Sequence, residues 1–319
     1  MQKVLVTGAA GFIGSRFCKF LLELGTYQVF GLDNFDPFYA ETTKRQNLNP
    51  LISNPFFRFE TIDIVDYDKL MAFFPDNAIV VHLAAKAGVR PSIDNPMLYQ
   101  DVNVRGTQNM LDVAHKKNCK QFVFASSSSV YGVSPQTPWR EQDSVLMPIS
   151  PYAATKVAGE LLGHVYAHLY EMRFLALRFF TVIGPGQRPD LAVHKFIKAI
   201  IHDEELTLYG QGNTQRDYTY VDDVVAAIHA AMHYQGSMYE IFNIGNNQPV
   251  TLRELVRTIE KVMNKKAKIK HLPEQPGDVP ITFADINKAQ KALNYHPKTS
   301  LEAGIEAFVN WHLTQMAER

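Results

Sequence analysis

Ser127, in the run Ala125-Ser126-Ser127-Ser128-Ser129-Val130-Tyr131-Gly132, together with Tyr152 and Lys156, in Ser150-Pro151-Tyr152-Ala153-Ala154-Thr155-Lys156, makes a set that can move a proton at a hydroxyl. Pro151 suits the first position of a helix, so Tyr152 and Lys156 fall one turn apart on one face. An ammonium beside a phenol favours the ionised phenol, which makes Tyr152 a candidate base. A serine at a strand end can hold the same substrate oxygen by hydrogen bond while the phenolate takes its proton. Tyr-x-x-x-Lys also arises by chance and a serine run also serves as a polar loop, so the set needs elements that would place it.

The amino-terminal end supplies the first of them. Lys3-Val4-Leu5-Val6-Thr7 reads as a buried strand, Gly8-Ala9-Ala10-Gly11-Phe12-Ile13-Gly14 as a tight turn, and Phe17, Phe20, Leu21 and Leu24 recur at helical spacing. Glycines let the backbone approach a pyrophosphate, whose charge is stabilised at the helix amino end. A second strand, Gln28–Leu32, ends in Asp33, a carboxylate that can accept from the adenosine ribose hydroxyls and repel the extra phosphate of NADP; NAD is the expected cofactor. The spacing is Gly-x-x-Gly-x-x-Gly instead of Gly-x-Gly-x-x-Gly, which suits the short-chain dehydrogenase type.

Strand-like runs at 4–6, 28–32, 57–62, 78–82, 121–125 and 174–179 alternate with helical periodicity, which predicts an α/β fold with a Rossmann-type doubly wound parallel sheet. A further apolar run, Tyr239–Ile244, is expected to return to the edge of that sheet. The texture changes at Thr181, where Gly184-Pro185-Gly186 and Tyr209-Gly210-Gln211-Gly212 mark turns over shorter elements. The expected organisation is an NAD-binding domain over 1–180, with a return segment near 222–250, and a smaller α/β nucleotide-sugar-binding domain over 181–319.

At 319 residues, 46% hydrophobic, the chain can bury a large core. Its 32 basic and 32 acidic side chains cancel, which gives no electrostatic case for nucleic acid or an anionic membrane. No apolar run reaches the roughly 18 residues of a membrane helix, and Met1-Gln2-Lys3-Val4 enters the first strand without a signal segment, so a cytoplasmic protein is expected. Cys18 and Cys119 are isolated, and the 11 histidines show no ligand spacing; free thiols and no metal are expected.

The chain resembles the extended short-chain dehydrogenase/reductases of the nucleotide-sugar epimerase group, and among them is most similar to UDP-glucuronate 4-epimerases. The resemblance runs nearly end to end, through Thr7 to Gly14, Asp33-Asn34-Phe35, Asp63-Ile64, His82-Leu83-Ala84-Ala85, Ala87-Gly88-Val89-Arg90, Asn103, the serine run, Tyr152 to Lys156, Arg178-Phe179-Phe180-Thr181, Arg216-Asp217-Tyr218 and Pro276-Gly277-Asp278. It implies that NAD is held by Gly8, Gly11, Phe12, Ile13, Gly14, Asp33, Asn34, Asp63 and Ile64 on one side. Leu83, Ala84, Ala85, Lys86, Asn103, Ser126, Tyr152, Lys156 and Phe180 complete that set. It further implies a UDP-sugar on Ser127, Ser128, Ser129, Tyr152, Thr181, Arg90, Arg188, Arg216 and Asp278, and a homodimer formed through the helical stretches Met97–His115 and Ala153–Tyr170. Leu161, Leu162, Val165 and Leu169 give the second stretch an apolar face that could equally be buried within one chain.

In this family Tyr152 would remove the proton of the sugar 4-hydroxyl while its hydride passes to the nicotinamide, and return of the hydride to the opposite face inverts carbon 4 without net redox change. Related dehydratases and decarboxylases carry acidic residues where Ser128 and Ser129 stand. Those hydroxyls and that of Thr181 can bind a sugar carboxylate, or neutral hexose oxygens. Gln275 replaces an arginine of the galactose epimerases. The favoured reaction is therefore UDP-glucuronate to UDP-galacturonate, ahead of a UDP-glucose or UDP-N-acetylglucosamine 4-epimerase, a UDP-glucuronate decarboxylase and a non-catalytic NAD-sensing protein. Arg90 and Arg188 suit a diphosphate or carboxylate and, equally, structural ion pairs. His82 and Asn103 are expected to satisfy backbone groups.

Overall fold

The computed structural model describes residues 1–143, 147–273 and 279–317. Seven parallel strands form the main sheet: β1 (Gln2–Thr7), β2 (Tyr27–Asp33), β3 (Phe57–Thr61), β4 (Ile79–His82), β5 (Gln121–Ser127), β6 (Arg173–Phe179) and, after three strands elsewhere, β10 (Tyr239–Ile244). Their order is β10-β6-β5-β4-β1-β2-β3. The chain winds outward from β1 through β2 to β3, then returns to β4 on the other side of β1 and winds the opposite way. The loops after β1 and β4 therefore diverge and open a crevice at the carboxyl ends of the strands.

Both faces of this sheet are covered, and strand periodicity sorts the side chains between them. Val4, Val6, Val29, Val81, Val123 and Leu177 face one core with Phe17, Leu21, Val224 and Ile228 from helices. Leu5, Phe30, Leu32, Val80, Phe122, Phe124 and Phe174 face the other, with Met110, Leu111 and Tyr166. Helix Val221–Met232 packs in the first core and leads into β10, which pairs with β6 in the register Phe242↔Leu177. β10 thus joins the large sheet and the helix before it covers one face, although β7 (Thr181–Ile183), β8 (Glu205–Tyr209) and β9 (Gln215–Tyr220) precede them in the chain. β9 pairs with β7 and with β11 (Pro249–Thr251); β8 pairs with β12 (Lys268–Leu272). These short sheets enclose a third core of Ile183, Phe196, Ile197, Leu208, Leu255 and Phe308.

The stretch expected to be helical over Met97–His115 is interrupted. An α-turn at Pro96–Tyr99 passes into a π-helical segment, Gln100–Arg105, before regular helix resumes at Gly106–Lys116. The second stretch is one helix, Pro151–Tyr170, capped by Ser150, whose hydroxyl accepts from the Ala153 N–H at 3.1 Å. Gly159 sets how close this helix lies to the sheet: a β-carbon there would stand 2.4 Å from the Phe124 ring. Among the described residues no helix is long and apolar enough to cross a membrane.

Phe242 is fully buried at the sheet edge. Phe242→Ala is expected to cost about 3–5 kcal/mol of stability, read as a lowered urea midpoint; a loss under about 1 kcal/mol would mean that the return strand is not a core element.

Candidate active site

At the crevice lies a cavity of about 630 Å³ whose walls carry nearly all the residues singled out by sequence. Its floor begins at the first turn. The helix Phe12–Leu24 starts against that turn so closely that a β-carbon on Gly14 would lie 2.1 Å from the Gly8 carbonyl oxygen. Gly11 N–H donates to the same oxygen at 3.0 Å. Asp33, at the carboxyl end of β2, is buried and accepts from Phe35 N–H at 2.9 Å and Ala10 N–H at 3.2 Å. Burial pushes its carboxyl up from the ordinary value, and Lys44, 3.9 Å away, draws it back. Asn34 donates to Asp63 at 2.8 Å, and both line the cavity beside Phe12, Ile13 and Ile64.

On the opposite wall, Leu83, Ala84, Ala85 and Lys86 leave the end of β4. Thr7 Oγ1 accepts from the N–H groups of Leu83 at 3.1 Å and Ala84 at 3.0 Å, so its own proton goes to His82 Nδ1 at 2.7 Å. His82 is then the Nε2–H tautomer and donates to Thr107 at 3.1 Å. Burial, with the Lys156 charge nearby, lowers its pKa to about 3, and it stays neutral. The expectation that His82 satisfies backbone groups is corrected in detail: its partners are two hydroxyls, one of which holds the backbone. Asn103, on the π-helical segment, accepts from Lys86 N–H at 2.7 Å and donates to Lys86 O and Thr155 Oγ1, each at 3.0 Å. It props the loop from behind and does not line the cavity.

The catalytic candidates meet where β5 ends. Ser127 Oγ accepts from Ser129 N–H at 3.2 Å and from Ser129 Oγ–H at 2.9 Å, which leaves its own proton free to donate, and its hydroxyl beside Tyr152 pulls the phenol down. Burial acts more strongly and pushes the Tyr152 pKa up, against both Ser127 and the Arg188 guanidinium. Lys156 does not sit on the phenol oxygen. Its Nζ donates to Ala125 O at 2.7 Å and lies 5.8 Å from the Tyr152 ring centre. It is buried, and desolvation lowers its pKa to about 7.

Ser126, Ser128, Ser129, Phe180, Thr181, Arg188 and Arg216 also face the cavity. Arg188 forms a two-pronged pair with Asp190 at 2.9–3.0 Å and stacks over Phe38. Arg216 Nη1 donates to Gln215 O at 2.8 Å. Arg90 is placed elsewhere: it is exposed, off the cavity wall, with its guanidinium 5.6 Å above the Tyr209 ring. Asp278 and Gln275 lie outside the described residues. Among the described residues no three His, Cys, Asp or Glu side chains converge as a metal site. Both cysteines are buried and unpaired.

Lys44 is the main cavity residue that the sequence reading passed over. Lys44, Leu48 and Leu51 make the buried face of the helix Glu41–Ile52, so a lysine on an otherwise apolar stripe was the available signal. Its Nζ donates to Asp36 O at 2.8 Å, while Lys86 pairs with the Asp36 carboxylate.

A profile of the NAD dependent epimerase/dehydratase family matches residues 4–245, and this chain belongs to that family. It is 42% identical to a UDP-glucuronate 4-epimerase of Thermodesulfobacterium geofontis over 315 residues, 98% of this chain and 96% of the relative. The crystal structure of UDP-glucuronic acid 4-epimerase from Bacillus cereus, in complex with UDP-glucuronic acid and NAD, superposes with a TM-score of 0.91 at 38% identity, over 99% of this chain and 100% of that one. UDP-glucose 4-epimerase from Thermotoga maritima, with UDP-glucose, gives 0.90 at 32% identity over 99% and 100%.

The proton count at Ser127 has a direct consequence. Ser127→Ala removes the donor to Tyr152 and is expected to raise the phenol pKa by about one unit, followed as tyrosinate absorbance near 295 nm against a Tyr152→Phe reference. An unchanged midpoint would mean that Ser127 does not donate to the phenol.

Proposed function

We propose that this chain is an NAD-dependent UDP-glucuronate 4-epimerase, interconverting UDP-glucuronate and UDP-galacturonate through a 4-keto sugar. The observation that carries the reading is that Ser127, Ser128, Ser129 and Thr181 line one cavity with Tyr152, with Ser128 and Ser129 at the positions where a related decarboxylase or dehydratase carries an acid. Hydroxyls donate to a sugar carboxylate without adding a titrating group. A 4-keto uronic acid is a β-keto acid, and holding its carboxylate among fixed donors keeps it from the orientation in which carbon dioxide departs.

Tyr152 takes the 4-hydroxyl proton, Ser127 donates to the same oxygen, and Lys156 supplies the positive charge behind them. When bound, NAD would accept and return the hydride at carbon 4; NAD is preferred over NADP because the Asp33 carboxylate at the end of β2 would repel a 2′-phosphate. The glycine turn receives the pyrophosphate. Arg188 and Arg216 suit the UDP diphosphate. Inversion needs no second substrate, because the ketosugar is reduced on its other face before it leaves.

The exposed side chains of Leu161, Val165 and Leu169 on one face of the helix Pro151–Tyr170, with Met97 and Leu98 beside the second stretch, support a homodimer. The two buried free thiols and a nucleotide-sugar substrate support a cytoplasmic setting. Sedimentation at micromolar concentration is expected to give a dimer, and Leu161→Glu/Leu169→Glu to give a monomer; wild-type protein sedimenting as a monomer removes the assignment.

Chromatography of reactions with UDP-glucuronate, UDP-glucose and UDP-N-acetylglucosamine tests the activity. UDP-glucuronate is expected to give UDP-galacturonate with the highest kcat/KM, little UDP-pentose and no net NADH, and Tyr152→Phe to lose ~10²–10⁴-fold in rate. A clear preference for UDP-glucose would overturn the carboxylate role of the hydroxyls, and a UDP-pentose as main product would overturn the argument about decarboxylation.

A further inference from the structure

The last three residues of β5 each face a different turn of the helix Pro151–Tyr170. Ser127 meets Tyr152, Ala125 O takes Lys156 Nζ at 2.7 Å, and Ser126 Oγ donates to Glu160 Oε1 at 2.5 Å. Tyr152, Lys156 and Glu160 are spaced four residues apart and share one face. The first two rungs carry the proposed chemistry. The third is a carboxylate that is only 3% exposed, and buried carboxylates are costly unless they are paired. Its pairing comes from the next strand. Arg178 of β6 stands opposite Ser126 in the strand register and grips Glu160 with Nε to Oε1 and Nη2 to Oε2, both at 2.8 Å. Arg178 is in turn fixed above the Tyr131 ring at 4.8 Å.

We propose that Glu160 is a positioning residue of the catalytic apparatus: clamped by Arg178 and Ser126, it fixes the turn of the helix that bears Tyr152 and Lys156 against the end of β5 and supplies the counter-charge that keeps Lys156 an ammonium. The surroundings leave that task to Glu160. From β4, Lys156 is faced by His82, which is neutral and cannot compensate it; from β5, by the Ala125 carbonyl and the Phe124 ring at 5.0 Å; and from its own helix, by Tyr152 and Glu160, whose other side is held by the cationic Arg178 of β6. Glu160 is the anion among them. Because its oxygens are taken by Arg178 and Ser126, the carboxylate does not draw the ammonium away from the site. Lys156, Glu160 and Arg178 together leave one net positive charge behind the phenol, the sign that favours its ionisation.

This inference rests on the roles given above to Tyr152 and Lys156, and its first measurement is independent of turnover. Lysine labelled with ¹⁵N at Nζ, with the Lys156 signal assigned by its loss in Lys156→Met, reports the protonation midpoint of Lys156 directly. In Glu160→Gln that midpoint is expected to fall by about one pH unit or more, and the alkaline limb of kcat for UDP-glucuronate to fall with it, while KM stays within about threefold. Glu160→Asp keeps the charge and returns the midpoint toward the wild-type value even where kcat remains low. A folded Glu160→Gln protein with an unmoved midpoint overturns the proposal, as does Glu160→Asp shifted as far as Glu160→Gln. If Glu160→Gln fails to fold because Arg178 is left buried without a partner, Glu160→Gln/Arg178→Gln removes both charges and must show a fall in the same direction, smaller because a cation is lost with the anion. Wild-type protein without epimerase activity would remove the functional reading and leave the titration result standing, so the two failures are separable.

Discussion

The seating of one helix against two strand ends governs the rest of the site. Helix Pro151–Tyr170 carries Tyr152 and Lys156, but both need partners that the helix does not contain, and those partners are the carboxyl-terminal residues of β5. Close approach is made possible where Gly159 meets the Phe124 ring. The parallel sheet contributes the other half of the constraint. Because every strand runs the same way, all of its carboxyl ends lie along one edge, and the reversal of winding beside β1 opens that edge into the cavity. The glycine turn, Asp33, the loop after β4 and the serine run arrive together for this one reason.

Burial sets the electrostatics of the site, and the fold answers it group by group. His82 answers by staying neutral, its tautomer dictated by the two N–H groups that occupy Thr7. Asp33 answers with two backbone N–H donors and a nearby lysine. Glu160 and Arg178 answer with a two-pronged pair, whose value lies less in net stability than in the unique arrangement it enforces, since removing either partner strands a buried charge. Lys156 donates to a neutral carbonyl and has its counter-charge, Glu160, one turn away, so burial still brings its pKa down to about 7. A group poised there responds to what binds beside it, which a fully compensated ion pair would not.

The sequence disclosed what depends on local pattern. The glycine turn, the alternation of strands and helices, Ser127, Tyr152 and Lys156 all lie in short contiguous motifs, and their meeting follows from the sheet topology. What escaped depends on contacts between distant segments. Lys44 approaches Asp33 across 11 positions of sequence, and only its place on an apolar stripe hinted that it was not a surface charge. Asn103 sits on a π-helical turn that no period-3.6 reading distinguishes from α-helix, and that turn aims it at the Lys86 backbone. Arg90 neighbours the loop after β4 in sequence, yet its guanidinium lies over the Tyr209 ring of β8. For Tyr152 and Lys156, a spacing of four brings the side chains near each other but does not say which partner the longer one reaches, and Nζ donates to Ala125 O.

The choice of hydroxyls over a cation for a uronate follows from the same low-dielectric setting. A lysine or arginine against the sugar carboxylate would bind it more strongly, but it would also add to the positive charge already behind Tyr152 and would stabilise ketosugar and substrate alike, which gives tight binding without faster inversion. On the proposed function, hydroxyls such as those of Ser128 and Thr181, which line the cavity, would fix the orientation of the carboxylate at little electrostatic cost and leave the field at carbon 4 to Lys156, Glu160 and Arg178. Orientation is also what decides the fate of a β-keto acid, because loss of carbon dioxide requires the breaking bond to align with the carbonyl π system. A wall of weak, well-placed donors can hold that bond out of alignment through the lifetime of the ketone, and an acid in the same place would both repel the carboxylate and offer a proton to the wrong step.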